Sequence, residues 1–275
     1  MIMLLIDAGN SRLKWAMVKD EECLGTNTRS SQNVLDNEQV TRSIFADLPP
    51  PDHVIISNVA GSTMKQILLD ACAGWSCKIK FVTARQRQCG VLNTYLLSDQ
   101  LGSDRWAALI AAWQRQRNPC LVVNCGTATT IDTLIVDGGL SESGIFLGGL
   151  ILPGVNMMQS SLTHNTAQLL KMKGSLRDFP QNTADAIHSG SVRATLGAIH
   201  QQYAKLVKYL NDQTISGDET EKQSGRTAPP LLPRCLLSGG AAHLIQPHLI
   251  GLETEHIPDL VLRGLQIIGQ DWIAL

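Results

Sequence analysis

Twice along this chain an apolar run reaches a polar residue, turns through small residues and continues as a half-buried run. The first stretch is Leu4–Val18 (LLIDAGNSRLKWAMV): apolar to Asp7, then Gly9-Asn10-Ser11, then Leu13–Val18. The second is Leu121–Val136 (LVVNCGTATTIDTLIV), with Asn124, Gly126 and Thr127 at the corresponding places. Both predict a two-stranded hairpin with a polar side chain at its lip. Asp7 and Asn124 are 117 positions apart, and so are Gly9 and Gly126. The shared spacing reads as an internal repeat, against chance likeness of two hairpins.

Between and after these stretches the pattern alternates. Glu21–Val34 is polar, a third strand or a loop. Gln39–Asp47 has weak helical spacing, and Pro49–Pro51 ends it. His53–Val59 predicts a buried strand, Ser62–Cys72 an amphipathic helix and Lys78–Thr83 a further strand. Trp106–Gln116 is strongly helical, and Gly102-Ser103-Asp104-Arg105 sits at its start. After the second hairpin, closed by Gly138-Gly139, come a Gly-rich strand (Gly144–Gly154) and a helical stretch (Val155–Lys171). That stretch is a core element by default, or a subunit interface. A helix opening at Asn182 or Thr183 runs to Leu210, or breaks once near Gly190. Asn211–Arg234 is polar, then Pro-rich, and reads as a mobile surface insert. Cys235–Leu237 resumes as a strand before Ser238-Gly239-Gly240, and Leu260–Trp272 closes the chain as a helix. Strand–helix–strand order predicts an α/β fold with parallel pairing, in two halves, 1–117 and 118–275, with a cleft between them.

Composition narrows the function. The 275 residues are 44% hydrophobic and 17% charged, with net charge −1. That balance supports a large core and gives no basis for nucleic-acid or membrane-surface binding. Seven cysteines without a C-x-x-C pair read as reduced thiols, so a cytoplasmic protein is expected. The apolar start runs straight into Asp7, which argues against a signal peptide, and no apolar run is long enough to span a membrane.

The hairpin turns carry the candidate chemistry. A Gly-Asn-Ser turn presents backbone N–H groups and small hydroxyls to a phosphate, and Asp7 can hold magnesium. Asp104, at a helix start, either steadies that helix or serves a reaction. The chain has no P-loop, no G-x-G-x-x-G after a strand, no G-x-S-x-G and no H-E-x-x-H, and its histidines are scattered.

Five motifs in order resemble type III pantothenate kinase. They are D-x-G-N-S at Asp7–Ser11, G-x-D-R at Gly102–Arg105, G-T-A-x-T-x-D at Gly126–Asp132, G-G-x-I-x-P-G at Gly148–Gly154 and N-T-x-x-A-I-x-x-G at Asn182–Gly190. The resemblance implies an actin-like (ASKHA) fold of two duplicated RNase H-like halves with a nucleotide cleft between them. It implies phosphoryl transfer from ATP, with magnesium, to the 4′-hydroxyl of pantothenate, the first step of coenzyme A synthesis. It also implies a homodimer whose site is completed across the interface.

By that resemblance Asp7, Ala8, Gly9, Asn10, Ser11, Arg12, Leu13 and Lys14 hold the ATP phosphates, with Asp7 on magnesium, directly or through water. Thr127 touches the nucleotide. Tyr95, Gly102, Ser103, Asp104 and Arg105 line the pantothenate pocket, Thr183 reaches it from the partner subunit, and Asp104 is the general base. The family carries Asp, on a monovalent cation, where this chain has Asn124. An amide oxygen can ligate potassium or ammonium but brings no charge, which leaves that requirement open. Two other functions remain: another kinase of the same superfamily, acting on acetate or a sugar, and an ATP-binding accessory or regulatory relative without kinase activity.

Overall fold

The computed structural model describes residues 1–36, 43–137, 143–164, 174–217 and 232–274. The chain falls into two compact units. The first comprises Met1–Arg117, Val136–Phe146 and Asp259–Leu275, and the second Asn118–Ile135 and Leu147–Pro258.

The first unit is built on a five-stranded sheet of order β3-β2-β1-β4-β5. Its strands are β1 (Ile2–Ala8), β2 (Arg12–Lys19), β3 (Glu22–Ser30), β4 (His53–Asn58) and β5 (Lys78–Phe81). β1 pairs antiparallel with β2 and parallel with β4, so it is central, and its apolar run is buried on both faces. β3, the edge strand, is exposed throughout and polar, the usual protection of a free edge.

Two short elements that the sequence reading did not resolve lie in this unit: helix α1 (Ser31–Asp36) and a small hairpin of β6 (Arg87–Gln88) and β7 (Val91–Asn93). Helix α2 (Gly61–Cys72) buries Met64, Leu68 and Cys72, a spacing of four that makes one stripe. That stripe meets Leu4, Ile6, Val54 and Ile56 in one cluster with Leu13 and Trp15. Of the weak helical stretch Gln39–Asp47, residues 39–42 lie outside the described residues, and Ile44 and Phe45 are buried.

The other face of the sheet is covered by α3 (Ser103–Gln116) and the closing helix α7 (Leu260–Ala274). α3 buries every residue from Arg105 to Trp113 and ends at Arg117, which is in the left-handed region (φ 46°). Gly264 brings α7 onto α3, because a Cβ there would run into the backbone of Ala107. At Gly269 a Cβ would stand 2.9 Å from Ile55 Cγ1 and 3.2 Å from Met3 Sδ. These close approaches correct the expected division at 117/118: residues from Asp259 onward pack with the first unit, although they follow the second in sequence.

The second unit repeats the plan. Its strands are β8 (Cys120–Cys125), β9 (Ala128–Val136), β10 (Gly144–Pro153), β11 (Arg234–Ser238) and β12 (Thr254–His256). They run in the order β10-β9-β8-β11-β12, five strands of a seven-stranded sheet that β7 and β6 extend past β10, with β8 antiparallel to β9 and parallel to β11. Strand for strand this is the order of the first sheet, which accounts for the sequence repeat.

Helix α4 (Val155–His164) packs on α5 (Thr183–Gly217), which is continuous through Gly190. α5 continues past Leu210, so Asn211–Gly217 is helix and not surface insert. Residues 218–231 of the expected insert, the Gly138-Gly139 turn and 165–171 of the Met-containing stretch lie outside the described residues. A short helix, α6 (Ala242–Ile245), follows β11.

Candidate active site

The first hairpin turn is closed by its own backbone. Gly9 N–H donates to the Arg12 carbonyl at 3.1 Å, and a Cβ on Gly9 would stand 3.2 Å from that oxygen. Ser31, at the start of α1, fastens the turn from outside. Its hydroxyl donates to the Gly9 carbonyl at 2.6 Å and its N–H to the Ser11 carbonyl at 3.1 Å. Asn10, Ser11 and Arg12 stand exposed at the tip, while Ala8 and Leu13 are buried beneath it. A rigid, exposed turn of small polar residues suits a phosphate, because its backbone dipoles are oriented in advance.

Asp7 sits one residue before the end of β1, opposite Lys14 on β2 and Ser57 on β4. Burial pushes its carboxyl up to about 7, and the charge of Asp104 adds to that; Lys14 opposes both. Asp104 lies in the first turn of α3, and burial raises its carboxyl too. Its Oδ1 accepts the Arg105 N–H at 2.8 Å, which, with the Arg105 charge, partly offsets the burial. The structure places Asp7 and Asp104 near each other: Asp7 pairs with Ser57 on β4, whose hydroxyl meets that of Ser103, the residue before Asp104. Gly102 leaves room for this carboxylate, since a Cβ there would stand 2.6 Å from Asp104 Oδ1 and displace it.

Arg105 and Tyr95 also come together. The Arg105 guanidinium is buried; its Nη1 donates to Tyr95 Oη at 3.2 Å, and its Cζ lies 5.8 Å from the Tyr95 ring and 5.9 Å from the Phe146 ring. Tyr95 is placed by the Asn93 side chain, which accepts its N–H at 3.0 Å, and by Phe146, whose ring is 5.3 Å away. The Ser103 hydroxyl, by contrast, points inward to Ser57 Oγ, at 2.8 Å. Sequence reading missed Ser31, Ser57 and Phe146. The only trace of Ser57 was a polar residue at the end of an apolar strand.

In the second unit Asn124 holds the register of Asp7, opposite Thr130 on β9 and Ser238 on β11. Gly126 N–H donates to the Ala128 carbonyl at 3.0 Å, and the Thr127 carbonyl accepts the Gly154 N–H at 2.9 Å. A Cβ on Gly154 would collide with the Gly126 carbonyl, so the glycine ending the G-G-x-I-x-P-G segment serves this turn. Gly239 (φ +92°) has a packing reason as well: a Cβ there would stand 2.6 Å from Asn124 Oδ1. Thr183 is the exposed first residue of α5. The cap is Asn182, whose Oδ1 accepts the Asp185 N–H at 2.9 Å. Among the described residues no group of three or more His, Cys, Asp or Glu could hold a metal ion, no disulfide joins the cysteines, and no helix is long and apolar enough to cross a membrane.

The chain resembles known proteins over nearly its whole length. The sequence profile of type III pantothenate kinase matches residues 3–205. The type III pantothenate kinase of Nitrosospira multiformis is 38% identical over 270 residues, 98% of this chain and 92% of that one. That of Nitrosomonas eutropha is 36% identical over 272 residues, 98% of this chain and 94% of that one.

Among solved structures, a conserved Baf family transcriptional activator from Campylobacter jejuni superposes with a TM-score of 0.56 at 22% identity, covering 99% of this chain and all of that one. A 2-dehydro-3-deoxygalactonokinase protein from Sinorhizobium meliloti superposes with a TM-score of 0.52 at 14% identity, with the same coverage. At such identities the likeness carries the fold alone, and the strand order shared by the two units agrees with the expected actin-like fold. With the family profile matching residues 3–205 and named relatives 36–38% identical over 98% of its length, the chain belongs to the type III pantothenate kinase family.

Proposed function

We propose that this chain transfers the terminal phosphoryl group of ATP to the 4′-hydroxyl of pantothenate, opening coenzyme A synthesis. The observation that carries the reading is the Asp7–Asp104 pair beside the Gly9–Arg12 turn. Phosphoryl transfer is mostly positioning and charge neutralisation, with a carboxylate near the attacking hydroxyl. The exposed turn and Lys14 hold the phosphates of ATP. Asp104 accepts the proton of the attacking hydroxyl, and Tyr95 with Gly102, Ser103 and Arg105 lines the pantothenate pocket. Thr127 touches the nucleotide.

Magnesium suits Asp7, because two half-buried carboxylates, the charge of Asp104 raising the proton affinity of Asp7, are the surroundings that a divalent cation relieves. When bound, it neutralises charge on the phosphate oxygens. Asn124 offers potassium or ammonium one neutral amide oxygen. Thr183, exposed at the start of α5, contacts pantothenate from the partner of a homodimer. Cytoplasmic residence follows from the same reading. Retention of Asp7, Asp104 and Arg105 argues against an accessory relative without activity.

The test is Asp104→Asn, which keeps size and removes the base. Pantothenate-dependent ADP release should fall about 10²- to 10⁴-fold in kcat while ATP binding persists. Turnover equal to wild type would remove Asp104 from the mechanism.

A further inference from the structure

We propose that Ser57 is a positioning residue for phosphoryl transfer: its buried hydroxyl bond to Ser103 ties the first turn of α3 to β4 and so sets where Asp104 stands relative to Asp7. The proposal rests on the reading of Asp104 as general base. Ser57 is fully buried and Ser103 is 7% exposed, with their hydroxyls 2.8 Å apart. Ser57 occupies the β4 position paired with Asp7, and Ser103 immediately precedes Asp104. One side-chain bond therefore joins the strand neighbour of one carboxylate to the chain neighbour of the other.

Both hydroxyls are buried, so breaking the bond strands two polar groups, and the tie holds β4 and the first turn of α3 together. The Gly102 segment lies against the end of the same strand, where a Cβ on Gly102 would stand 3.8 Å from Val59 Cγ1 as well as close to Asp104. Ser103 spends its hydroxyl inward on this contact, so its part in the pantothenate pocket is that of backbone.

The second unit repeats the placement. The β11 residue paired with Asn124 is again a serine, Ser238, and its hydroxyl lies 3.5 Å from the Pro258 carbonyl, two residues before α7. The flanking residues differ (Ile56 and Asn58 against Leu237 and Gly239), yet the serine keeps its register in both copies.

The experiment is steady-state kinetics of Ser57→Ala and Ser57→Thr beside Asp104→Asn, each with a pH profile and a melting curve. Ser57→Ala is expected to lower kcat about 10- to 100-fold, with KM for ATP within about twofold of wild type. The acid limb of its profile moves to lower pH as the carboxylates part. Ser57→Thr keeps the hydroxyl and restores most of the turnover and the original limb. If Ser57→Ala does not fold, Ser57→Cys, of similar size and weak in hydrogen bonding, is read the same way.

Wild-type kcat and an unmoved acid limb in the folded alanine or cysteine variant, with Asp104→Asn inactive, overturn the positioning role alone. Equal loss in Ser57→Ala and Ser57→Thr with an unmoved limb does so too, since that is a packing defect. Full turnover in Asp104→Asn overturns the base reading, and the positioning role with it.

Discussion

At the scale of single residues, Asp7 is held back from ionising by its own surroundings, and this gives the protein a pH signature. Its carboxyl sits at about 7 when folded against 3.8 for the free side chain. Between those values the folded chain keeps a proton that the unfolded chain has lost. Without ligand, stability contributed by Asp7 is therefore full below about pH 4, declines as pH rises to about 7 and is level above that. Asp7→Asn is expected to raise the melting temperature at pH 8 and leave it unchanged at pH 4, as thermal unfolding in the two buffers will show. Magnesium needs the ionised carboxylate, so the affinity for Mg·ATP should weaken by up to roughly tenfold per pH unit below about 7. Titration calorimetry between pH 6 and 8 reads this directly, and the dependence should disappear in Asp7→Asn. Asp7 and Asp104 were both legible in the sequence, because each lies in a short local pattern. Their coupling was not: it joins residues far apart in the chain, and the serines that tie them carry no local signature.

At the scale of elements, both hairpins could be read from the sequence because their apolar runs and small-residue turns are contiguous. The small β6–β7 hairpin was not legible, because strands of two and three residues are too short to show a period. Helix α7 was found as a helix but not assigned to its sheet, since an apolar face does not reveal what covers it. That choice is made by Gly264 and Gly269, which let α7 lie directly on Ala107, Ile55 and Met3. Gly264→Ala would force the α3–α7 pair apart. Overpacking of this kind costs about 1–3 kcal/mol, so a lower urea midpoint at unchanged slope is expected. A midpoint equal to wild type would mean that the helices yield without cost.

At the scale of the whole molecule, one five-strand order occurs twice, and the copies differ at the lip of the hairpin, Asp7 in the first and Asn124 in the second. If a monovalent cation acts at Asn124, Asn124→Asp should lower the potassium concentration needed for half-maximal rate by restoring a charged ligand. The partner contribution of Thr183 can be tested by complementation. Asp104→Asn and Thr183→Arg are each expected to be inactive alone. After subunit exchange of a 1:1 mixture, half the dimers are mixed and each has one intact site, which predicts recovery of about a quarter of wild-type activity. No recovery would place Thr183 outside a shared site.

Phosphoryl transfer to pantothenate is read most directly by a coupled assay of ADP release. The purified protein is given Mg·ATP with pantothenate, or with acetate or a panel of sugars, and with potassium, with ammonium or with neither. ADP release is expected to depend on pantothenate and to be absent with acetate and the sugars. Release with a sugar or acetate in place of pantothenate, or no pantothenate-dependent release with either cation present, would contradict transfer to pantothenate.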